Sequence, residues 1–260
     1  MTLLSGAPDK TTHRGYPDGV LHVHHYGDGP SIVALHGLTG HGRRFRRLAE
    51  HGLRIHAPDL RGHGHSTSHP PWTLEQHARD VIATLDTPVV LVGHSFGATV
   101  AVHVTRIAPE LVKHVVLLDP GHGLPPALAE QLATAALTPP AYPTPEDAAR
   151  DRAAGWPPQA HDLIDDEVRQ HLVREKGVWT WRHSTPMTVA AYSELARPPL
   201  APAAGTPTTL VKARRSKAVP PGYADLCGVT AIEIDSGHQV HLERPAETAQ
   251  VIHDAISGTA

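Results

Sequence analysis

The chain has 260 residues and a single cysteine, Cys227. That excludes an intramolecular disulfide and argues against a catalytic thiol framework. A lone thiol near a strand start reads as a small buried apolar residue. Long apolar runs are also missing. No uninterrupted stretch reaches the roughly 20 residues that cross a bilayer. Met1 to Arg14 lacks a charged segment followed by an apolar one, so no secretory signal is expected, and the expected location is cytoplasmic. Charge of one sign is missing too: 23 Lys and Arg against 26 Asp and Glu give a formal net charge of -3. With no basic stripe and no long block of like charge, neither nucleic acid nor an interaction tail is implied. The clusters Arg43-Arg44 with Arg46-Arg47, and Arg214-Arg215, read as solvated surface. There is no G-x-G-x-x-G and no G-x-x-x-x-G-K-[ST], so no nucleotide or flavin cofactor is implied. Histidine, by contrast, is abundant at 22 residues. His22, His24 and His25 lie on a strand-like segment and His63 and His65 in a Gly-rich loop. None falls into an H-E-x-x-H pair or a Cys/His finger, so no metal is expected.

What is present is a run of alternating strand and helix signals. Val20 to Tyr26 alternates and ends in Gly27-Asp28-Gly29, one arm of a hairpin. Ser31 to Leu35, Leu53 to Ala57, Val89 to Val92, Val115 to Leu118, Thr208 to Val211 and Thr230 to Ile234 are short apolar strands. Arg43 to His51, Thr73 to Leu85, Ala98 to Ile107 and Ala246 to Ile256 carry helical spacing, with Thr73 as an N-cap. This order predicts one α/β domain: a doubly wound, mostly parallel eight-stranded sheet covered on both faces. Ligands bind such sheets at the carboxyl ends of the strands.

Residues 122–203 break the pattern. The segment lacks strand-like alternation and is rich in proline. Pro126 to Ala136, Pro145 to Ala154 and Asp165 to Glu175 read as helices. Placed between two core strands, it divides the core into residues 1–121 and 204–260 and reads as a helical lid over the strand ends. Its Trp156, Trp179, Trp181, Met187 and Tyr192 are candidate substrate-lining residues, with anchoring of the lid as the competing role for each.

Gly93-His94-Ser95-Phe96-Gly97 sits between the Val89 strand and the next helix. Strand, G-x-S-x-G, helix is the context of a nucleophile elbow, with the serine on a strained turn and the helix N-terminus facing developing negative charge. The second oxyanion donor, beside the Phe96 N–H, would come from the loop after an earlier strand, where His36-Gly37-Leu38 offers the Leu38 N–H. Asp59-Leu60-Arg61-Gly62-His63-Gly64-His65-Ser66 reads as a tight loop braced by Asp59 and Arg61. Ser236-Gly237-His238 places a histidine on a loop after the last strand, within reach of Ser95 as general base; His241 is the competitor.

These motifs, in this order and with Leu242-Glu243-Arg244-Pro245, resemble the α/β-hydrolase family over nearly the whole chain outside the insertion. The resemblance implies Ser95 as nucleophile, His238 as base, and Phe96 and Leu38 as oxyanion donors. It departs from the common pattern at the acid. The loop Lys212 to Pro220 has no carboxylate, and Ser216 stands where one is expected. A minority arrangement takes the acid from the strand after the nucleophile helix, which selects Asp119 ahead of Asp235 and Asp225. Serine at the elbow argues against the dehalogenases and epoxide hydrolases of the family. The expected activity is hydrolysis of a carboxylic ester, lactone or thioester with a small to medium apolar acyl group, by a monomer or homodimer. A cofactor-free oxygenase, a carbon–carbon bond hydrolase and a slow-turnover small-molecule receptor are the alternatives.

Overall fold

A computed structural model of the chain describes residues 12–14, as backbone, and residues 21–258. Val20, the remainder of the N-terminal segment and the last two residues lie outside the described residues.

The strands of the first half are β1 (Thr12–Arg14), β2 (Leu21–Tyr26), β3 (Ser31–Leu35), β4 (Arg54–Pro58), β5 (Val89–His94) and β6 (Val112–Leu118). A short pair, β7 (Leu172–Glu175) and β8 (Val178–Trp181), stands apart, and β9 (Thr208–Ala213) and β10 (Ile232–Ile234) return to the centre. There an eight-stranded sheet runs in the order β1-β2-β4-β3-β5-β6-β9-β10. β1 and β2 pair antiparallel, as do β2 and β4, and the other neighbours are parallel. Helices crossing between parallel strands must cover both faces, and the side-chain period of two divides the strands accordingly. Val33, Leu35, Leu91, Val115, Leu117 and Leu210 face one core, with α1 (Leu74–Ile82) and α2 (Phe96–Ile107). Ile32, Ala34, Val90, Val92, Val116, Leu118 and Val211 face the other, with the closing helix Pro245–Ser257. Thr73 caps α1 by accepting from the Gln76 N–H. The segment Gly42–His51 folds as a 3-10 helix rather than the α-helix its spacing predicts. Its buried Gly42, Phe45 and Leu48 recur every third residue, which is the 3-10 repeat.

Between β6 and β9 the chain forms α3 (Pro126–Ala136), α4 (Pro145–Gly155), α5 (Ile164–His171), the β7–β8 pair and α6 (Thr185–Leu195). The expectation of an insertion without strands is corrected here. The helix predicted to reach Glu175 stops at His171, and Leu172–Glu175 pairs antiparallel with Val178–Trp181. Lys176 and Gly177 turn the hairpin with φ of 48° and 89°. Two successive positive φ values match the right-handed twist of a tight hairpin and stop any helix.

The insertion packs on loops that follow β3 and β4. Glu167 of α5 pairs with Arg44 at 2.5 Å and accepts from His41 Nε2 at 2.5 Å. Asp166 pairs with Arg43 and Arg46. Ser184 N–H donates to Gly62 O at 2.7 Å, and Gly64 N–H to Arg182 O at 3.1 Å. The insertion is therefore fastened at the carboxyl ends of the parallel strands. Among the described residues no helix is long and apolar enough to cross a membrane.

Candidate active site

Ser95 lies on a turn that only close packing maintains. Its φ of 53° and ψ of -117° are outside the regions favoured by L-residues. Gly93 and Gly97 permit the turn. A Cβ on Gly93 would lie 2.5 Å from Ala98 Cα, and one on Gly97 would lie 2.3 Å from Leu35 O. The serine hydroxyl meets His238, whose Nε2 is 2.9 Å from Ser95 Oγ. On the other side of the ring, His238 Nδ1 is 2.6 Å from Asp119 Oδ2. Because a carboxylate only accepts, Nδ1 carries the proton and Nε2 accepts from the serine hydroxyl.

Asp119 is fully buried at the end of β6. Its φ of 45° turns the backbone off the strand, and its Oδ1 accepts from Ala213 N–H at 3.1 Å. The other acid candidates are elsewhere. Asp235 is exposed and pairs with Arg215 at 2.6 Å, Asp225 is exposed on α7 (Tyr223–Cys227), and Ser216 Oγ accepts from Ala218 N–H. His241 lies on α8 (Val240–Glu243) and is buried, with its ring stacked on Phe45 and tilted against His94.

The loop after β3 abuts the elbow: a Cβ on Gly37 would come within 3.3 Å of Ser95 Cβ. Leu38 lies on this loop, and Phe96 is the first residue of α2, where helix N–H groups lack intrahelical partners. Two histidines that carry no motif signal for such a role hold the loop. His63 Nε2 accepts from Thr39 N–H at 3.0 Å, where Thr39 has φ of 59°. His36 Nε2 accepts from Leu60 N–H at 2.9 Å while its Nδ1 donates to Gly37 O at 2.8 Å. Burial keeps both rings neutral, taking the His36 pKa down to about 3 and that of His63 well below its ordinary value. A third, His94, donates from Nε2 to His238 O at 2.7 Å and so ties the elbow to the His238 loop. Its one sequence signal is its place as the first variable residue of G-x-S-x-G.

The loop Asp59 to Ser66 is braced as its composition suggests. Asp59 accepts from Gly42 N–H at 2.8 Å, His65 N–H at 3.0 Å and His24 Nε2 at 3.1 Å. Arg61 makes a bidentate pair with Asp80 at 2.6 and 2.8 Å. His22, His24 and Asp59 bring donor atoms within 4.8 Å of one another, a grouping invisible to linear spacing. The Asp59 carboxylate is already engaged there by three donors, so its evident role is bracing.

Of the five aromatic and methionine candidates in the insertion, Trp181 and Tyr192 line a cavity bordered by Thr39. Trp156 is buried with Leu163, Ile164 and Leu242, and Met187 is buried beneath Gly62. Trp179 packs beside Tyr142 and Leu172.

The comparisons agree with this architecture. A model of the alpha/beta hydrolase family matches residues 32–251. The chain belongs to that family. This alpha/beta hydrolase is 38% identical to Lipase LipV of Mycobacterium tuberculosis over 91% of its own length and 97% of the relative's. It is 37% identical to a pimeloyl-[acyl-carrier protein] methyl ester esterase of Methylococcus capsulatus, over 38% of this chain and 40% of that one. Among solved structures, an E-2-(acetamidomethylene)succinate hydrolase superposes with a TM-score of 0.84, covering 96% of this chain and all of the other, at 21% identity. That likeness bears on the fold alone.

Proposed function

We propose that this alpha/beta hydrolase cleaves a carboxylic ester of a small to medium apolar acyl group, with Ser95 as nucleophile, His238 as general base and Asp119 as the acid that orients it. The observation that carries the reading is the single imidazole bridging the Ser95 hydroxyl and the buried Asp119 carboxylate, at 2.9 and 2.6 Å. The lipase and esterase relatives support ester hydrolysis as the reaction type.

Ser95 Oγ attacks the carbonyl carbon as its proton passes to His238 Nε2, and Asp119 stabilises the imidazolium. The carbonyl oxygen becomes an anion facing the Leu38 and Phe96 N–H groups. Collapse expels the alcohol, which takes the proton from His238 and leaves an acyl-serine. Water then gives a proton to His238 and attacks the acyl carbon. Ser95 leaves, recovers the proton, and the acid is released. The insertion acts as a lid that shapes the acyl site.

Ser95→Ala should lower kcat on a short-chain ester by about four orders of magnitude or more with an unchanged melting temperature. A serine-directed phosphonate should label Ser95 in the parent and nothing in the variant. Undiminished turnover by Ser95→Ala removes the proposal.

A further inference from the structure

The cavity bordered by Thr39 has a volume of about 240 Å³. Leu132, Ala135 and Ala136 of α3 and Tyr192 of α6 form an apolar wall, while Arg152 of α4 is the cation on its surface. The Arg152 side chain is 16% exposed, and its guanidinium lies 4.0 Å over the ring of Trp181 and 5.6 Å from that of Trp156. Its face is therefore covered, while its N–H edges make no hydrogen bond to any described residue, and Nε is buried.

The acidic neighbours supply Arg152 with counter-charge but with no hydrogen bond. Glu167 stands 3.6 Å from Arg152, but its oxygens already serve Arg44 and His41, each at 2.5 Å. Asp151 also lines the cavity and is engaged by the Tyr142 hydroxyl at 2.6 Å. His183, on the same cavity, is held neutral by burial, with its pKa near 4. Burial likewise lowers the pKa of Arg152, to about 10. A guanidinium is a five-donor fork shaped for a carboxylate, and buried donors are costly to leave unmet.

We propose that Arg152 binds a carboxylate carried by the substrate, so that the preferred ester is a half-ester of a dicarboxylic acid whose methylene chain lies along the α3 wall. This inference rests on the proposed reading of the site and narrows its substrate class.

The test compares monomethyl esters of C4 to C8 α,ω-dicarboxylic acids with methyl alkanoates of equal length. The parent should favour the charged ester by about 10-fold or more in kcat/KM at one chain length, the typical worth of a charge-assisted hydrogen bond. Arg152→Gln should erase that ratio through KM. Free adipate, titrated calorimetrically, should bind the parent and Ser95→Ala but not Arg152→Gln. If Arg152→Gln does not fold, Leu132→Glu should lower the same ratio by repulsion. A neutral ester preferred at every length, or a ratio unchanged in the variants, overturns the proposal. Adipate binding needs no turnover, so binding through Arg152 combined with undiminished hydrolysis by Ser95→Ala would sink the catalytic reading and leave only the carboxylate subsite at Arg152 standing.

Discussion

At the residue scale the candidate site is built on two strained positions. Ser95 and Asp119 both have positive φ, at 53° and 45°, and neither is glycine. Such strain persists only where surrounding packing enforces it, and it is common where side chains must be aimed at a reaction. Asp119 is held by Ala213 N–H on one oxygen and faces His238 Nδ1 with the other. Asp119→Asn keeps the shape but can present an N–H to Nδ1, favouring the tautomer with the proton on Nε2, where it no longer accepts from Ser95. The expected outcome is a fall in kcat of roughly 10⁴ on any ester, with KM little changed. Steady-state kinetics checks it, and a loss of less than about tenfold assigns the orienting role elsewhere. Ser95 is legible in the sequence because a glycine-flanked serine between an apolar strand and a helix start fits a nucleophile elbow far better than a plain turn. Asp119 is legible through the carboxylate missing near Ser216. The bracing roles of His63 and His94 are not, because each acts on the backbone of a segment distant in the chain.

At the scale of elements, the parallel strands are legible because they are buried on both faces and so run continuously apolar. The β7–β8 hairpin is not, because its Lys176-Gly177 turn is a weaker signal than Asn-Gly and its first strand continues directly from α5. The fastening of α5 is equally invisible, since its partners lie more than a hundred residues earlier. Glu167 is buried among Arg44, Arg152 and His41. Burial alone would raise its pKa, but Arg44, His41 and Arg152 together outweigh burial and hold the carboxyl well below its ordinary range. Glu167→Ala would leave two guanidinium groups without their shared counter-charge. Removing one partner of a buried pair costs about 3–5 kcal/mol, which at this chain length is a loss of roughly 10 °C in melting temperature. Glu167→Gln, which keeps the volume and one acceptor, should lose less. Thermal melts of the two variants decide the matter, and two melts within about 2 °C of the parent would mean that the fastening contributes little.

At the scale of the whole molecule, the many histidines make stability a function of pH. His36, His77, His122 and His241 are buried, and burial lowers their pKa values from 6.5 to about 3, 4, 4 and 3. His77 packs edge-on against Phe96, and His122 edge-on against Tyr223. Above pH 6.5 these rings are neutral in folded and unfolded chains alike, so they exert no pH-dependent effect there. As pH falls below 6.5 the unfolded chain takes up protons that the folded one refuses, so stability falls, and the decline levels off only below pH 3 to 4. At pH 5 each fully buried ring costs up to about 2 kcal/mol. The four together can remove up to about 8 kcal/mol, comparable to the whole stability of an ordinary domain. The melting temperature should therefore drop steadily from pH 7 to pH 5, with cooperative unfolding at room temperature before pH 4 and recovery on neutralisation. His77→Leu, which deletes one of these titrations, should show a shallower decline than the parent whatever its stability at pH 7. Melting curves at half-unit steps measure both slopes. A melting temperature that stays flat across this range would show that these rings take up protons in the folded protein, and the packing that keeps them neutral would have to be abandoned.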